Sequence, residues 1–411
     1  MAQKSALPDQ MNPCVEVDIT GFAFGGRAVG RRPDGKVCFV RGAAPGEKVR
    51  VRLTADKKNY SEGVLEAVLE RSPSRLTPDC PNPCPGCSYA HVPYEIELKW
   101  KERQFRSFAE KAGLRSDPER FLRPAVGAPV RTGWRNKIRL SLEPRPDGSA
   151  EAGYRGEDNR SLIPVTDCPL AVPEIREALR EGKWRTGLTG TEKTVTFRWT
   201  RQDGVRVFTG RGATAPVTDE LEGHGLFQTA ENAFFQIDPF MSGKLASEVC
   251  RLVETAAPEF LCELYCGCGC FSVLCAERLG SLRVCGIELD AKAVKYARIN
   301  AKRHGVAART EFSAGDCAKI FRQKFPHGLP SGSLLLLDPP RTGLDHAMLD
   351  LACRSNAASI LYVSCSPDTL FRDLKRLEPA GYSLLESRLF DLFPSTAHFE
   401  SVSFLAAAEK G

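Results

Sequence analysis

A cysteine after a short apolar run, an Asp-Pro-Pro turn ahead of it and a carboxylate behind it form a set that can do covalent chemistry. The cysteine lies in Tyr362-Val363-Ser364-Cys365-Ser366-Pro367-Asp368-Thr369. Upstream is Leu337-Asp338-Pro339-Pro340-Arg341-Thr342-Gly343-Leu344, and downstream is Phe393-Pro394-Ser395-Thr396-Ala397-His398-Phe399-Glu400. Cys365 is a candidate thiolate nucleophile and Glu400 a candidate base, while His398 suits a supporting hydrogen bond better than the base role. Singly, each has a plainer explanation. A lone cysteine after a strand is usually a small buried hydrophobe, and a carboxylate near a C-terminus is usually solvated. Jointly, with the D-P-P-R-x-G run ahead of the cysteine, they favour chemistry.

A second constellation supplies a ligand site. Glu263-Leu264-Tyr265-Cys266-Gly267-Cys268-Gly269-Cys270 follows an apolar strand and precedes a helical stretch. Two glycines spaced G-x-G let the backbone turn tightly and approach a ligand. Glu288, 25 positions after Glu263, ends the next strand, where a carboxylate accepts the ribose hydroxyls of an adenosine. With Asp316 in Ala314-Gly315-Asp316 and Asp338 in the D-P-P turn, the set favours S-adenosylmethionine. A dinucleotide site would want G-x-G-x-x-G, and position 272 is serine. Tyr265 is expected to pack near the donor, and Asp338 to lie between donor and base. Cys266, Cys268 and Cys270 alternate in a glycine turn and would converge poorly on a metal ion. Cys250, Cys262, Cys275, Cys285, Cys317 and Cys353 read as packing residues.

A third constellation is Cys80-Pro81-Asn82-Pro83-Cys84-Pro85-Gly86-Cys87, with Cys168 far downstream. Three thiols in a tight loop and one distant thiol can close a tetrahedral metal site, for iron-sulfur or for structural zinc. The same C-x3-C-x2-C spacing is the radical S-adenosylmethionine signature, a rival that leaves Cys365, Glu400 and the G-x-G turn unexplained.

These groups need a scaffold. Residues 14–70 read as a small β-barrel, with Val15 to Ile19 and Val49 to Leu53 alternating at period 2 and turns at Gly25-Gly26 and Asp34-Gly35. Its loops carry Arg27, Arg31, Arg32, Lys36, Arg41, Lys57 and Lys58, suited to phosphate or simply to a solvated surface. A linker at Ser72 to Arg75 precedes the cysteine loop, and a helix is expected from Tyr94 to about Gly113. Trp134 to about Gly225 looks strand-rich, with a hairpin at Asp147-Gly148. From Phe227 onward apolar runs alternate with helical segments: Leu261 to Tyr265, Val284 to Ile287, Leu334 to Leu337 and Ile360 to Val363. That alternation predicts a doubly wound sheet with ligands at the carboxyl ends of its strands. The expected organisation is a multidomain α/β chain: a barrel over 1–72, a central α+β iron-sulfur region over 73–226, and a donor-binding domain over 227–411.

Composition sets the bounds. A chain of 411 residues suits two or three domains, and a net charge of +6 suits a polyanion without demanding one. No apolar run approaches the roughly 20 residues of a membrane span, and Met1 to Pro13 lacks the apolar core of a secretory signal. A cytoplasmic protein is expected, with its 16 cysteines reduced, no membrane association and no evident obligate protein partner.

At these motifs the chain closely resembles the RNA 5-methyluridine methyltransferases, which methylate carbon 5 of one uridine in ribosomal or transfer RNA. The resemblance rests on D-P-P-R-x-G, on the cysteine run and on F-P-x-T-x-H-x-E. It extends to Trp134-Arg135-Asn136-Lys137, Asp167-Cys168-Pro169-Leu170 and Phe234-Phe235-Gln236-Ile237. It implies a class I methyltransferase sheet, Cys365 as nucleophile at carbon 6, Glu400 as base, and Gln236 as a further donor ligand. It also implies a 4Fe-4S cluster held by Cys80, Cys84, Cys87 and Cys168, and a TRAM-type, OB-like RNA-binding barrel in which Gly21-Phe22, Gly25-Gly26 and Gly30 match. The cluster and the barrel favour ribosomal over transfer RNA. Ser366 stands where the family's S-C-N-P run has asparagine, and Cys270 where relatives often carry a polar or small residue. A non-catalytic RNA-binding protein is disfavoured because both catalytic residue types are present.

Overall fold

The computed structural model describes residues 13–80, 82, 84–186, 188, 190–209 and 215–408. The N-terminal stretch before Pro13, from which absence of a signal was expected, lies outside them. The chain packs as two compact units, residues 1–104 with 393–398, and residues 105–392 with 399–411.

In the first unit, β1 (Cys14–Phe22), β2 (Ala28–Arg31), β3 (Val37–Arg41), β4 (Lys48–Asp56) and β5 (Tyr60–Glu70) close a barrel in the order β1-β2-β3-β5-β4. The period-2 pattern explains its interior. Val17, Ile19, Cys38, Val40, Val49, Val51 and Leu53 alternate inward and are buried. Tyr89 and Val92, from the stretch after the cysteine loop, complete that core, with Ile96 and Trp100 of α1 (Tyr94–Ala112) packed against it. Several expected phosphate contacts are committed inside the barrel. Lys36 Nζ donates to Asp56 at 2.7 Å, and Arg32 bridges Asp34 and Asp56. Lys57 and Lys58 have no ion-pair partner among the described residues.

The second unit opens with α2 (Pro118–Phe121) and β6 (Leu122–Val126). A five-stranded sheet follows, ordered β11-β10-β7-β8-β9, from β7 (Lys137–Pro144), β8 (Ala150–Arg155), β9 (Leu162–Pro164), β10 (Thr194–Thr200) and β11 (Gly204–Thr209), with α3 (Pro173–Glu181) between β9 and β10. Gly148, at φ +82, turns the β7–β8 hairpin where the Asp147-Gly148 pair predicts it. Next come the hairpin β12 (Pro216–Leu221) and β13 (Gly225–Ala230), then α4 (Ser242–Ala256).

The site is built on the eight-stranded sheet, ordered β16-β15-β14-β17-β18-β20-β19-β6. Its chain order is β14 (Phe260–Leu264), α5 (Cys270–Arg278), β15 (Arg283–Glu288), α6 (Ala291–Arg303), β16 (Thr310–Ala314), α7 (Cys317–Lys324), β17 (Leu334–Leu337), α8 (His346–Cys353), β18 (Ser359–Ser364), α9 (Pro367–Leu377), β19 (Tyr382–Phe390) and β20 (Glu400–Ala407). The four leucines of β17 have no exposed surface. At about 1.5–3 kcal/mol for each buried leucine, this explains a central strand that reads as an unbroken apolar run. β14 to β18 are mutually parallel, and β20 enters antiparallel between β18 and β19. From β14 the chain winds to β16 on one side and to β18 on the other. The reversal at β14/β17 is the switch point where ligand crevices form. One strand was not legible: β6 pairs in parallel with β19, although it comes from the segment assigned to the central region.

Candidate active site

The donor turn is folded by its own backbone. Past β14, Tyr265 takes the left-handed conformation (φ +66), and Tyr265 N and Cys266 N both donate to Ile287 O, at 2.9 and 3.2 Å. Gly269 stands at φ +77, where a Cβ would lie 3.0 Å from Ala297 Cβ and 3.1 Å from the Phe312 ring. Only glycine allows both that conformation and that approach. Gly267 N donates to Glu288 Oε2 at 3.1 Å and Asp290 N to Glu288 Oε1 at 2.8 Å, which fixes the Glu288 carboxylate at the mouth of the turn. Asp316, past β16, accepts from Lys319 N at 2.8 Å and caps α7. Asp338 follows β17. Tyr265, Glu288, Asp316 and Asp338 thus stand at the carboxyl ends of β14, β15, β16 and β17.

Cys365 and Glu400 meet by strand register. The ladder between β18 and β20 ends with Ser364 opposite Ser401, and Ser401 Oγ donates to Ser364 O at 3.2 Å. One residue further out, Cys365 leaves β18 and Glu400 begins β20, on facing chains. The electrostatics agree. Burial pushes the Cys365 thiol up to about 11, with Glu400 adding to the rise and Arg341 opposing it. Glu400 is buried, and burial together with Asp338 raises its carboxyl well above the usual range. Burial, with Glu288, lifts Asp338 to about 7, and burial lifts Glu263 to about 8. The crevice therefore gathers carboxyl groups against one nearby cation, Arg341. Such a place favours a ligand that brings positive charge.

The Asp-Pro-Pro loop is held onto α9. Asp373, fully buried, accepts from Tyr362 Oη at 2.8 Å and Leu344 N at 2.9 Å, and Thr369 Oγ1 donates to Arg341 O at 3.2 Å. Ser366, in the asparagine's place, turns its hydroxyl to Asp368 Oδ1 at 2.7 Å in the first turn of α9. Cys266 and Cys268 are buried, and burial raises their thiols and that of Cys270, which keeps all three protonated packing groups. His398 belongs to the first unit, where its backbone N donates to Thr396 Oγ1 at 3.2 Å.

The expected metal ligands are less well gathered. Cys80, Cys84 and Cys87 line one cavity of about 510 Å³ in the first unit. A hydrogen bond from Cys87 pulls the Cys84 thiol down to about 6, the thiolate chemistry a soft metal needs. Cys168 belongs to the second unit, buried, and takes a hydrogen bond from Tyr154 Oη at 3.7 Å. Among the described residues, no three His, Cys, Asp or Glu side chains group closely enough to hold a metal ion. The lowered Cys84 thiol is the chemistry that a soft metal fits.

Three further residues shape the crevice, and of these Asn300 had no sequence signal, while Glu263 and Arg341 stood in motifs that did not state their roles. Buried Asn300 of α6 donates to Cys268 O and Gln228 O, both at 2.9 Å, and ties β13 to the donor turn. Glu263 accepts from Ser272 N at 2.9 Å and from Ser272 Oγ, pinning the start of α5. Arg341 was visible within the D-P-P-R run, but its charge role emerges only from the crevice. The two motifs around Arg135 and Cys168 are brought together, with Arg135 N donating to Leu170 O at 2.7 Å.

Comparison with known proteins agrees with this geometry. Residues 217–408 match the family model of tRNA (uracil-5-)-methyltransferases, and residues 14–65 match the TRAM domain. An uncharacterized RNA methyltransferase of Gloeobacter violaceus is 30% identical, over 95% of this chain and 96% of its own length. The 23S rRNA (uracil(1939)-C(5))-methyltransferase RlmD of Haemophilus influenzae is 29% identical, over 95% of each chain. The crystal structure of Pyrococcus abyssi tRNA (uracil-54, C5)-methyltransferase, in complex with S-adenosyl-L-homocysteine, shares the fold with a TM-score of 0.72. It is 22% identical, over 95% of this chain and 100% of that one. With a match spanning nearly the full length of both chains and the methyltransferase model covering the whole crevice, the chain belongs to the RNA uracil-5-methyltransferase family.

Proposed function

We propose that this enzyme transfers the methyl group of S-adenosylmethionine to carbon 5 of a uridine in RNA, with 23S rRNA as the substrate, through a covalent adduct on Cys365. The facing of Cys365 and Glu400 across the end of β18 and β20 carries the reading. The carboxyl-rich crevice beside them supports a cationic donor.

S-adenosylmethionine supplies an electrophilic methyl group on a sulfonium. Glu288 would accept from the ribose hydroxyls, Tyr265, Asp316 and Gln236 would be further donor contacts, and Asp338 would lie between donor and base. Carbon 5 of uracil is a poor nucleophile until Cys365, its proton released to solvent, adds to carbon 6 as a thiolate and moves the ring's electron pair into an enolate. Carbon 5 then forms a bond to the methyl carbon, and the sulfonium's bonding pair returns to its sulfur. Ionised Glu400 takes the proton from carbon 5. The released pair restores the ring double bond and expels the thiolate of Cys365.

The barrel is the RNA-binding module, and the domains run over 1–72, 73–226 and 227–411. Cys80, Cys84, Cys87 and Cys168 are the proposed ligands of a structural 4Fe-4S cluster, supported by their spacing and by the low Cys84 thiol. The choice of ribosomal RNA is supported by the likeness to the Haemophilus influenzae enzyme along both chains. Among the described residues no helix is long and apolar enough to cross a membrane; a cytoplasmic location is supported by the proposed RNA substrate.

The test is adduct trapping. Glu400→Gln should accumulate a protein–RNA complex that survives denaturation and carries the methyl group, and RNA containing 5-fluorouridine should trap the native enzyme at the same stage. Cys365→Ala should bind RNA and form no adduct; normal turnover by that variant would overturn the covalent route. Mapping methylated uridines in RNA from cells with and without the protein identifies the substrate, and loss of a transfer-RNA methyl group alone would reassign it.

A further inference from the structure

Past Ala230, the last residue of β13, the segment to Ile237 has no regular structure, yet its carbonyls are gripped in sequence. Arg198 Nη1 donates to Ala230 O at 2.8 Å and Glu231 O at 3.1 Å. Lys137 Nζ donates to Asn232 O at 3.1 Å and Ala233 O at 2.7 Å. Backbone N of Asn136 donates to Ile237 O at 2.9 Å, while its side-chain amide reaches Gln236 O at 3.5 Å. Two cations thus hold four consecutive carbonyls. Arg198 is neutralised by buried Asp219 of β12, which leaves the positive charge of Lys137 to be met by carbonyl dipoles. The grip holds the stretch on which Phe234, three-quarters exposed, and Gln236 are presented. The cluster also adjoins the donor turn, since Cys268 feels the charges of Asp219 and Arg198.

We propose that Lys137 and Arg198 are positioning residues for the methyl donor, clamping Ala230 to Ile237 so that Gln236 is set at the donor crevice. The proposal rests on Gln236 being a donor ligand. Isolated, the segment would sample many conformations; clamped, it offers one, and the ordering cost is met before the donor arrives. A neutral donor at position 137 can hold the carbonyls without a charge, whereas an apolar side chain cannot.

The clamp has a pH signature. Burial, with help from Arg198, lowers the Lys137 ammonium to about 8. Below that pH it is charged and donates strongly; above it the charge is lost, so the clamp's own contribution to binding falls as pH rises, opposite in sign to the gain from Asp338 and Glu263. The charged groups facing it are Arg198, Arg139 and Asp219, the last paired with Arg198. Glu263 in the crevice also titrates near 8, in the direction that favours a cation, and the control is therefore a change at position 137 alone.

The experiment measures S-adenosylhomocysteine binding by calorimetry on the full-length protein. Lys137→Met and Gln236→Ala should each weaken binding roughly tenfold or more, and the double variant should be no worse than the weaker single one. Lys137→Gln should recover most of the affinity, and the ratio of its affinity to that of the unaltered protein should rise between pH 7 and 9. That comparison needs only the unaltered protein and the conservative variant, should Lys137→Met not fold. Additive losses, or unchanged affinity in Lys137→Met with Gln236→Ala weakened, would overturn the clamp. Unchanged affinity in Gln236→Ala would overturn the ligand reading instead, and the clamp's purpose with it.

Discussion

Sulfur does opposite things in two parts of this chain. At the crevice, burial and Glu400 push the Cys365 thiol up to about 11, and at rest it holds its proton. In the cysteine loop, a hydrogen bond from Cys87 outweighs burial and draws Cys84 down to about 6, so it rests as a thiolate. A resting thiolate suits a permanent ligand. A resting thiol suits a nucleophile that should react only once its partners have bound, because a cationic donor beside Asp338 and Glu400 offsets the charge that holds the proton on. The two regions also differ in how they are assembled: adjacent strand ends fix the crevice, whereas Cys80, Cys84 and Cys87 stand outside any helix or strand.

The sharpest way to break that comparison is to remove each thiol in turn. Cys365→Ala should cost on the order of 10⁴-fold or more in methyl transfer with thermal stability unchanged, as loss of a covalent nucleophile does elsewhere. Cys84→Ala should act on the metal instead. Anaerobically purified protein should be brown, with about four iron and four sulfide per chain, and the Cys84 variant should lose most of both. Colourless protein with stoichiometric zinc would replace the cluster reading by the zinc one.

Next in size is the donor turn. Gly269→Ala forces a left-handed alanine whose Cβ crowds Ala297 and the Phe312 ring, neither a flexible side-chain end. The strain of about 1–3 kcal/mol should appear as donor affinity reduced by roughly tenfold or more, with RNA binding retained. Equal loss of both by calorimetry and filter binding would mean that the whole unit has loosened.

Much of this crevice was legible because parallel strands are buried on both faces and advertise themselves as apolar runs. Their carboxyl ends fall where Tyr265, Glu288, Asp338 and Cys365 stand, so local spacing was enough. The opposition of Cys365 and Glu400 came through two motifs, although it is set by an antiparallel register that no local pattern states. β6 was invisible because five residues with one proline, Leu122–Val126, have no marked period and find their place only beside β19. Asn300 and Arg198 looked like ordinary polar residues of a helix and a strand, and Lys137 stood out only as part of a family run; long-range hydrogen bonds tie all three to their partners. In the barrel, charge was legible and pairing was not: Arg32 and Lys36 answer to Asp56, far away in the sequence.

Smaller, and diagnostic of the crevice's electrostatics, is the acid limb of donor binding. Asp338 is raised from 3.8 to about 7, so it is neutral below that pH and charged above it. A cationic donor should bind more tightly as pH rises from 6 to 8, and Asp338→Asn should flatten that rise. A flat profile in the unaltered protein would place Asp338 away from the donor's charge.

The smallest expected effect separates the barrel's free cations from its bound ones. For single strands, each phosphate contact contributes about 0.7 to the dependence of log affinity on log salt. Lys57 and Lys58 have no ion-pair partner among the described residues, so replacing both with alanine should lower the slope by roughly one and a half. Lys36, held by Asp56 and by Lys57 O at 2.9 Å, must give up those bonds to reach a phosphate, and Lys36→Ala should leave the slope nearly unchanged. Point changes are preferable to deleting the barrel, because Tyr89 and Val92 complete its core and would be stripped by truncation. If Lys36→Ala lowers the slope as much as the double change does, the ion pair with Asp56 opens on RNA binding. The barrel would then rearrange when it reads its substrate, whereas the donor turn, fixed by Glu288 and Asn300, is already set.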